Sequence, residues 1–282
     1  MSNKHIEMIK NILDKKYNFL RPIKINRLIR LGREMDGGYI VDSNIIDNCD
    51  TLITFGLGDS SQIEDQWSFE TDFIKRNKKL SIFVYDYTVS ASPYIKKILK
   101  YLRRFITFRT SLEAVKIRIK NYQEYIKFMR LDNVQYYREK ITNLIKNKID
   151  TDIKKVFSRI KNNSEVILKC DIEGSEYLVI DQLLEYSNRI KMLIFEFHWI
   201  DKNENIFVES VKKLQSKFDI IHIHANNHCQ KLKNGLPIVL EITLLNKKYS
   251  PSKIEYVDNF PIKGLDFPNN PFLKDIEFSF KD

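Results

Sequence analysis

Glycine and proline are scarce in this chain, with 8 and 7 among 282 residues. That content excludes collagen-like and Pro/Gly-rich low-complexity architectures and argues against long disordered tracts. Cysteine is scarcer still: Cys49, Cys170 and Cys229 are odd in number, widely scattered and free of C-x-x-C spacing. They read as reduced thiols and not as a disulfide framework or a structural zinc site. No run approaches the roughly 18 apolar residues that crossing a bilayer requires. The opening Met1-Ser2-Asn3-Lys4-His5-Ile6-Glu7 places charges where a secretory signal has its apolar segment, so a cytoplasmic address is expected.

What is present is a hydrophobic fraction of 43%, enough to bury a sizeable core, and a net charge of +10. Lys, Ile and Asn are all abundant, as a biased genome composition would produce, so the charge alone says little about partners. Its distribution says more. Residues 91–160 hold eighteen Lys or Arg against six Asp or Glu, with no glycine and with helical periodicity. The segment reads as a basic helical insertion that caps the strand ends or meets an anionic substrate. The plain alternative is a solvated helical face.

Along the rest of the chain, Ile6, Ile9, Ile12 and Leu13 recur at helical spacing, which predicts an amphipathic N-terminal helical segment over 1–24. From Ile25 to Val41, short extended runs surround Gly32 and the Asp36-Gly37-Gly38-Tyr39 turn, suggesting a hairpin or open loop. Buried-strand candidates follow at Thr51–Phe55, Leu80–Tyr85, Val166–Asp171 and Lys191–Glu196. Helical stretches near Trp67–Arg76, Tyr177–Tyr186 and Ile206–Phe218 alternate with them. Asp219–His224 and Val239–Leu245 lack a helix between them and predict a closing antiparallel pair. This alternation implies one α/β domain over 1–282, a mostly parallel sheet with helices on both faces, and a ligand site beyond the C-terminal strand ends.

Gly56-Leu57-Gly58 follows the first such strand and Asp86 ends the next. A glycine turn permits close approach of backbone to ligand, and a carboxylate at the neighbouring strand end can accept ribose hydroxyls. Gly56, Gly58 and Asp86 are therefore the candidate cofactor-binding residues. A dinucleotide fingerprint would place a third small residue in the turn and its acid about 20 residues downstream. Here Asp86 lies thirty residues beyond Gly56. A nucleoside cofactor without a pyrophosphate, S-adenosylmethionine, suits the spacing better than NAD.

The segment Leu168-Lys169-Cys170-Asp171-Ile172-Glu173-Gly174-Ser175-Glu176-Tyr177 resembles the K-x-D-x-E-G-x-E signature of FkbM-type methyltransferases. Asp36-Gly37-Gly38-Tyr39, Phe55-Gly56-x-Gly58, Asp86-x-Thr88-Val89, Glu196-Phe197-His198, His224-Ala225-Asn226-Asn227, Leu240-Glu241-Ile242-Thr243 and Asp266-Phe267-Pro268-Asn269-Asn270-Pro271 resemble, in order, further segments of one branch of that family. The likeness runs from about Ile29 onward but leaves the basic insertion unmatched. It also departs from the family at the glycine loop, where Thr54 and Phe55 stand before Gly56. The resemblance implies a Rossmann-like class I methyltransferase. It further implies methyl transfer from S-adenosylmethionine, usually to a hydroxyl of a sugar, glycan or other small metabolite.

Such a displacement needs the acceptor oxygen held near the methyl carbon and its proton removed. Asp171, Glu173, His198, His222 and His224 are the candidate catalytic residues, and the three histidines are expected to converge with Asp171 and Glu196 on one cavity. Asp171, Glu196 and His198 could equally hold a hard divalent cation, Mg²⁺ or Mn²⁺, against an acceptor hydroxyl. Several neighbours have plainer roles open to them. Glu176 could cap a helix, Asp36 and Tyr39 could form only a turn, Asn226 and Asn227 are common turn formers, and Trp67 and Trp199 suit packing better than adenine stacking. The runner-up to a small-molecule acceptor is RNA, bound through the insertion, where Tyr101, Phe105 and Phe108 interleave with basic residues. A non-catalytic S-adenosylmethionine-binding module is the third reading.

Overall fold

The computed structural model describes residues 11–58, 67–232 and 234–280. Its first element, β1 (Asn11–Ile12), is a short parallel partner of a strand near the C-terminus and leads into a 3-10 turn over Lys15–Leu20. This corrects the expected amphipathic helix for the described part of 1–24, whereas Ile6 and Ile9 lie outside the described residues. Exposed Ile12 stands beside fully buried Leu13, an alternation that suits an extended chain better than one helical face. β2 (Leu28–Leu31) and β3 (Tyr39–Asp42) form an antiparallel hairpin, followed by α1 (Ser43–Asp47), whose N-terminal Asn44 amide donates to Asp42.

The main sheet begins with β4 (Thr51–Phe55), buried at every position. α2 (Ser68–Arg76) and β5 (Ser81–Tyr85) complete the first strand-helix-strand unit. Then come α3 (Ala91–Ile106) and α4 (Leu112–Met129), an antiparallel helical pair in which Tyr94 stacks on Tyr125, while Trp67 at the start of α2 stacks on Phe128 of α4. Helix does not extend across the whole basic segment. β6 (Val134–Tyr137) joins the main sheet in parallel with β5, held by Asn133 donating to the Leu80 carbonyl and by the Tyr136 hydroxyl, whose one proton lies between the carbonyls of Asp86 at 2.5 Å and Val89 at 2.7 Å. β7 (Lys140–Ile141) and β8 (Asp150–Thr151) then form a two-residue ladder, and α5 (Ile153–Ser158) starts on Asp152, which accepts from the Lys155 amide.

The second half restores the alternation with β9 (Val166–Cys170), α6 (Ile180–Glu185), β10 (Ile190–Phe197) and α7 (Ile200–Leu214). α7 starts six residues earlier than the periodicity suggests and kinks at Asn203. β11 (Phe218–Ala225) and β12 (Leu240–Asn246) pair antiparallel as expected. β13 (Asn259–Phe260) and β14 (Phe278–Ser279) close a small sheet with β1.

Seven strands lie in the order β11-β12-β10-β9-β4-β5-β6, all parallel except β12. This is a Rossmann-like α/β sheet. Apolar side chains of alternating strand residues feed two cores. One contains Phe55, Leu168, Phe195 and Ile223, and the other contains Leu52, Ile167, Ile194 and Tyr39. From β4 the chain runs outward through β5 and β6, then crosses back to β9 on the other side of β4. The junction of β4 and β9 is thus a topological switch point, where parallel α/β sheets open a crevice at their C-terminal strand ends.

Candidate active site

At that switch point Gly56 and Asp171 meet. The Asp171 amide donates to the Phe55 carbonyl at 3.0 Å, and Gly56 has φ +78°. A Cβ on Gly56 would fall 1.7 Å from the Asp171 carbonyl oxygen, so only glycine allows the two strand ends to lie together. Lys169, one full pleat below Asp171, donates its Nζ to the Gly56 carbonyl at 2.9 Å and pairs with Asp171 Oδ2 at 3.4 Å. Burial alone would lower the Lys169 pKa, but the charges of Asp171, Glu70 and Glu196 reverse that and hold it as a cation.

Asp86 is buried at the end of β5, and its carboxylate is already engaged. Oδ2 accepts from the Leu57 amide, and Oδ1 accepts from the Thr88 amide, the Thr88 hydroxyl and the Val89 amide. Its first task is therefore to tie the Gly56-Leu57-Gly58 turn to the end of β5. The acceptor capacity left for ribose lies mainly on Oδ2, not on both oxygens. Gly58 adopts φ +146°, an extended mirror conformation suited to glycine.

His198 follows β10 and is pinned on several sides. Tyr177 donates its hydroxyl to the His198 carbonyl at 2.7 Å, and Nδ1 sits 3.1 Å from both Glu176 Oε1 and the Glu196 carbonyl. Nε2 faces Asp171 Oδ1 at 3.9 Å and Glu173 Oε2 at 3.6 Å. Burial pushes the imidazole pKa down, but the hydrogen bond to Glu176 and the charges of Glu196 and Asp171 outweigh it and raise the pKa to about 10. Fully buried Glu176 also accepts from the Ile172 and Gly174 amides, so its carboxylate closes the 171–176 turn.

Glu173 and Trp199, two non-glycine residues with φ of +55°, flank His198 in sequence or space. Such conformations cost of order 1–3 kcal/mol each and persist where surrounding structure enforces them. Here the indole of Trp199 lies over Gly174, where a Cβ would come within 2.7 Å of its Cδ1. Trp199 is thus a lid on the turn, and Trp67 is a buried packing residue.

Glu196 completes the cluster. Oε1 accepts from Asn226 at 2.7 Å, and Oε2 lies 3.3 Å from the Tyr39 hydroxyl, which is also 2.9 Å from Asp171 Oδ2. Burial, reinforced by the charges of Asp171 and Glu241, pushes the Glu196 carboxyl well above the usual carboxylate range. Tyr39 has a single proton to give. The shorter contact marks Asp171 as the main acceptor of that proton, with Glu196 as the longer one. One ligand atom each from Asp171, Glu196 and His198 lies within 4.8 Å of the others.

His222 and His224 share a face of β11 but take other partners. His222 Nε2 is 3.0 Å from Asp266 Oδ1. His224 Nε2 is 3.1 Å from Asp275 Oδ2, and its Nδ1 is 3.5 Å from Glu241 Oε2. Both rings are almost fully buried, and Asp266 and Asp275 come from the C-terminal segment. The expected convergence of three histidines is therefore corrected. His198 belongs to the switch-point cluster, while His222 and His224 fasten the C-terminal segment to the sheet. Asn227 assists them, donating to the Asn270 carbonyl and accepting from the Asn270 amide, so it is no free amide for an acceptor.

Neither a protein-family model nor a curated protein sequence matches the chain. Solved structures align with it at low identity. Precorrin-6y C5,15-methyltransferase from Geobacter metallireducens is 11% identical over 73% of this chain and 86% of its own, with TM-score 0.33. A Streptococcus mutans protein described as a methyltransferase, in complex with SAH, is 8% identical over 72% and 93%, with TM-score 0.32. The small RNA methyltransferase HEN1 is 14% identical over 76% of this chain and 25% of its own, with TM-score 0.33. Among the described residues no helix is long and apolar enough to cross a membrane.

Proposed function

We propose that this protein is an S-adenosylmethionine-dependent methyltransferase of the FkbM type, acting on a hydroxyl of a sugar, glycan or other small metabolite. The carrying observation is the switch-point juxtaposition of the Gly56 turn with Asp171, flanked by His198, Glu196 and Glu173. The donor set fits a cationic cofactor. Asp36, Asp171, Glu173, Glu176 and Glu196 outnumber Lys169 and His198, with Glu241 paired to His224, and a sulfonium with an α-ammonium group complements that excess. When bound, S-adenosylmethionine supplies an electrophilic methyl group. The chain's part is to hold the cofactor against the Gly56-Leu57-Gly58 turn, orient the acceptor and stabilise the oxygen as its proton leaves.

His198 alone is a poor base at neutral pH, because its carboxylate neighbours keep it protonated. Two carboxylates and an imidazole within 4.8 Å fit a divalent cation whose binding would displace the His198 proton, with Mn²⁺ tolerating the nitrogen ligand better than Mg²⁺. Asp171, Glu196 and His198 would hold such an ion, which would supply Lewis-acid polarisation of an acceptor oxygen. Asn226 and Glu176 then fix the orientation of Glu196 and His198.

Transfer of label from methyl-labelled S-adenosylmethionine to a panel of sugars and glycans tests the reaction. EDTA should abolish transfer, and Mn²⁺ or Mg²⁺ should restore it. Turnover indifferent to chelation would remove the cation and return the chemistry to the side chains. Preferential calorimetric binding of NAD over S-adenosylmethionine would sink the cofactor reading, and transfer to RNA but to no sugar would replace the acceptor.

A further inference from the structure

α3 carries a face that the fold leaves uncovered. At about 100° per residue, Ile95, Leu99, Leu102 and Ile106 fall within roughly 40° of one line along the helix. All four are exposed, Ile106 at 72%. The packed side of the helix lies elsewhere. Tyr94 stacks on Tyr125, and the Tyr101 ring sits under the guanidinium of Arg118. The stripe ends in a tip where Phe105 is exposed and Phe108, at φ +53°, is 97% exposed.

The charge beside this stripe has one sign. Between residues 91 and 111 there are six basic residues (Lys96, Lys97, Lys100, Arg103, Arg104 and Arg109) and no acidic one. On the helix wheel Lys96 and Arg103 border one side of the apolar line, Lys100, Arg104 and Lys97 continue round to the opposite face, and Arg109 flanks Phe108. A four-residue apolar stripe about 16 Å long with a lysine and arginine margin is the pattern of a helix that lies in the interfacial plane of a bilayer. A fully exposed phenylalanine at the turn adds an apolar group at its end. A nucleic-acid surface would make use of the basic margin but would leave Leu99, Leu102 and Ile106 in water.

We propose that α3 and the tip at 105–109 dock this protein on an anionic lipid surface, with the apolar stripe entering the headgroup boundary and the basic margin meeting acidic headgroups. The proposal stands independently of the reaction at the switch point. Co-sedimentation of the full chain with vesicles tests it, using phosphatidylcholine alone or mixed with phosphatidylglycerol. The chain should bind the mixed vesicles, bind pure phosphatidylcholine far more weakly, and keep part of its binding at high salt because the stripe is apolar. Leu102→Ser with Ile106→Ser, and separately Arg103→Glu with Arg109→Glu, should each weaken binding at least about tenfold. Both pairs should melt with the parent protein, since the replaced side chains are exposed.

Absence of binding to mixed vesicles by folded protein overturns the proposal, as does unchanged binding of the double-serine variant. A dimer of the parent that the double-serine variant dissociates, without vesicle binding, would assign the stripe to a second copy. Tight RNA binding lost at high salt, again without vesicle binding, would assign the face to nucleic acid.

Discussion

Gly56→Ala and Gly264→Ala form a matched pair whose comparison isolates the contact at the switch point. The two glycines have nearly the same backbone, φ +78° and +81°, so alanine meets a similar left-handed penalty of about 1–2 kcal/mol at each. A Cβ at Gly264 meets nothing within 4 Å, whereas one at Gly56 falls 1.7 Å from the carbonyl oxygen of Asp171, the residue that follows β9. Restoring ordinary contact requires the two strand ends to separate, and the Asp171 amide then loses the Phe55 carbonyl. A buried backbone bond lost in this way costs about 1–3 kcal/mol. Gly264→Ala should therefore lower stability by about 1–2 kcal/mol and Gly56→Ala by about 2–5 kcal/mol. For a chain of this size the difference corresponds to roughly 4–8 °C in melting temperature. Calorimetric melting gives the stability, and titration with S-adenosylmethionine gives the functional half, in which only Gly56→Ala should lose affinity. Equal melting of the two variants with unchanged binding by both would refute the close approach as the basis of the site.

Asp86→Ala should cost about 2–3 kcal/mol in stability, because four donors around one buried carboxylate lose their acceptor. S-adenosylmethionine affinity should fall with it, and a folded variant with full affinity would remove Asp86 from the cofactor site. The C-terminal clasp predicts a pH dependence. Burial pushes the His224 imidazole down, but the Asp275 hydrogen bond and the nearby Glu241 and Asp266 carboxylates raise it to about 10. Its folded pKa exceeds its unfolded value, so its stabilisation is complete below about 6.5 and is lost as pH rises toward 10. Asp266 shifts the other way: burial would raise it, yet the His222 charge holds it low, so its contribution is present above the ordinary carboxylate range and lost in acid. His224→Ala, which leaves Asp275 and Glu241 without their cation, should cost about 3 kcal/mol at pH 6. Urea titrations between pH 6 and 10 should show the parent weakening more than the variant, and parallel curves would exclude His224 as the titrating group.

The buried strands were legible because β-branched and apolar runs of five to six residues bounded by glycine or carboxylate leave few alternatives, as Thr51–Phe55 and Val166–Cys170 show. β6 was not legible. Its Val134-Gln135-Tyr136-Tyr137 is an edge strand only half buried, set within a basic helical segment, and its anchor is the tertiary bond from Tyr136 to the Asp86 carbonyl. Asp171, Glu196 and His198 could be placed at strand ends from local pattern, and their proximity follows from parallel register. Tyr39, which reaches Asp171 across 132 residues, could not, since a Gly-Gly-Tyr turn carries no sign of its destination. Lys169 had a signal that went unassigned: a lysine in the middle of a fully buried run requires a charged partner, and Asp171 two residues on shares its face. The histidines of β11 could be assigned to one face but not to partners, because Asp266 and Asp275 arrive from a segment with no regular periodicity.

The register of the sheet explains why the acidic cluster sits where it does. Glu196 pairs with Glu241, and Glu241 pairs with His224. Asp171, which follows Cys170 opposite Phe195, continues the row on the other side. Three carboxylates at neighbouring strand positions, about 5 Å apart, would repel strongly in a buried setting unless each found compensation. Asp171 has the Lys169 ammonium and the Tyr39 hydroxyl, and Glu241 has His224 and the Asn269 amide. Glu196, between them, takes its hydrogen bond from the neutral amide of Asn226, and burial with the charges of Asp171 and Glu241 pushes its carboxyl well above the usual carboxylate range. The central member of the row is thus the one to which the described residues give a neutral hydrogen-bond partner and no direct ion pair. It is also the one that stands beside His198 at the switch point, where a cationic ligand would complete the compensation that the protein's own residues leave open.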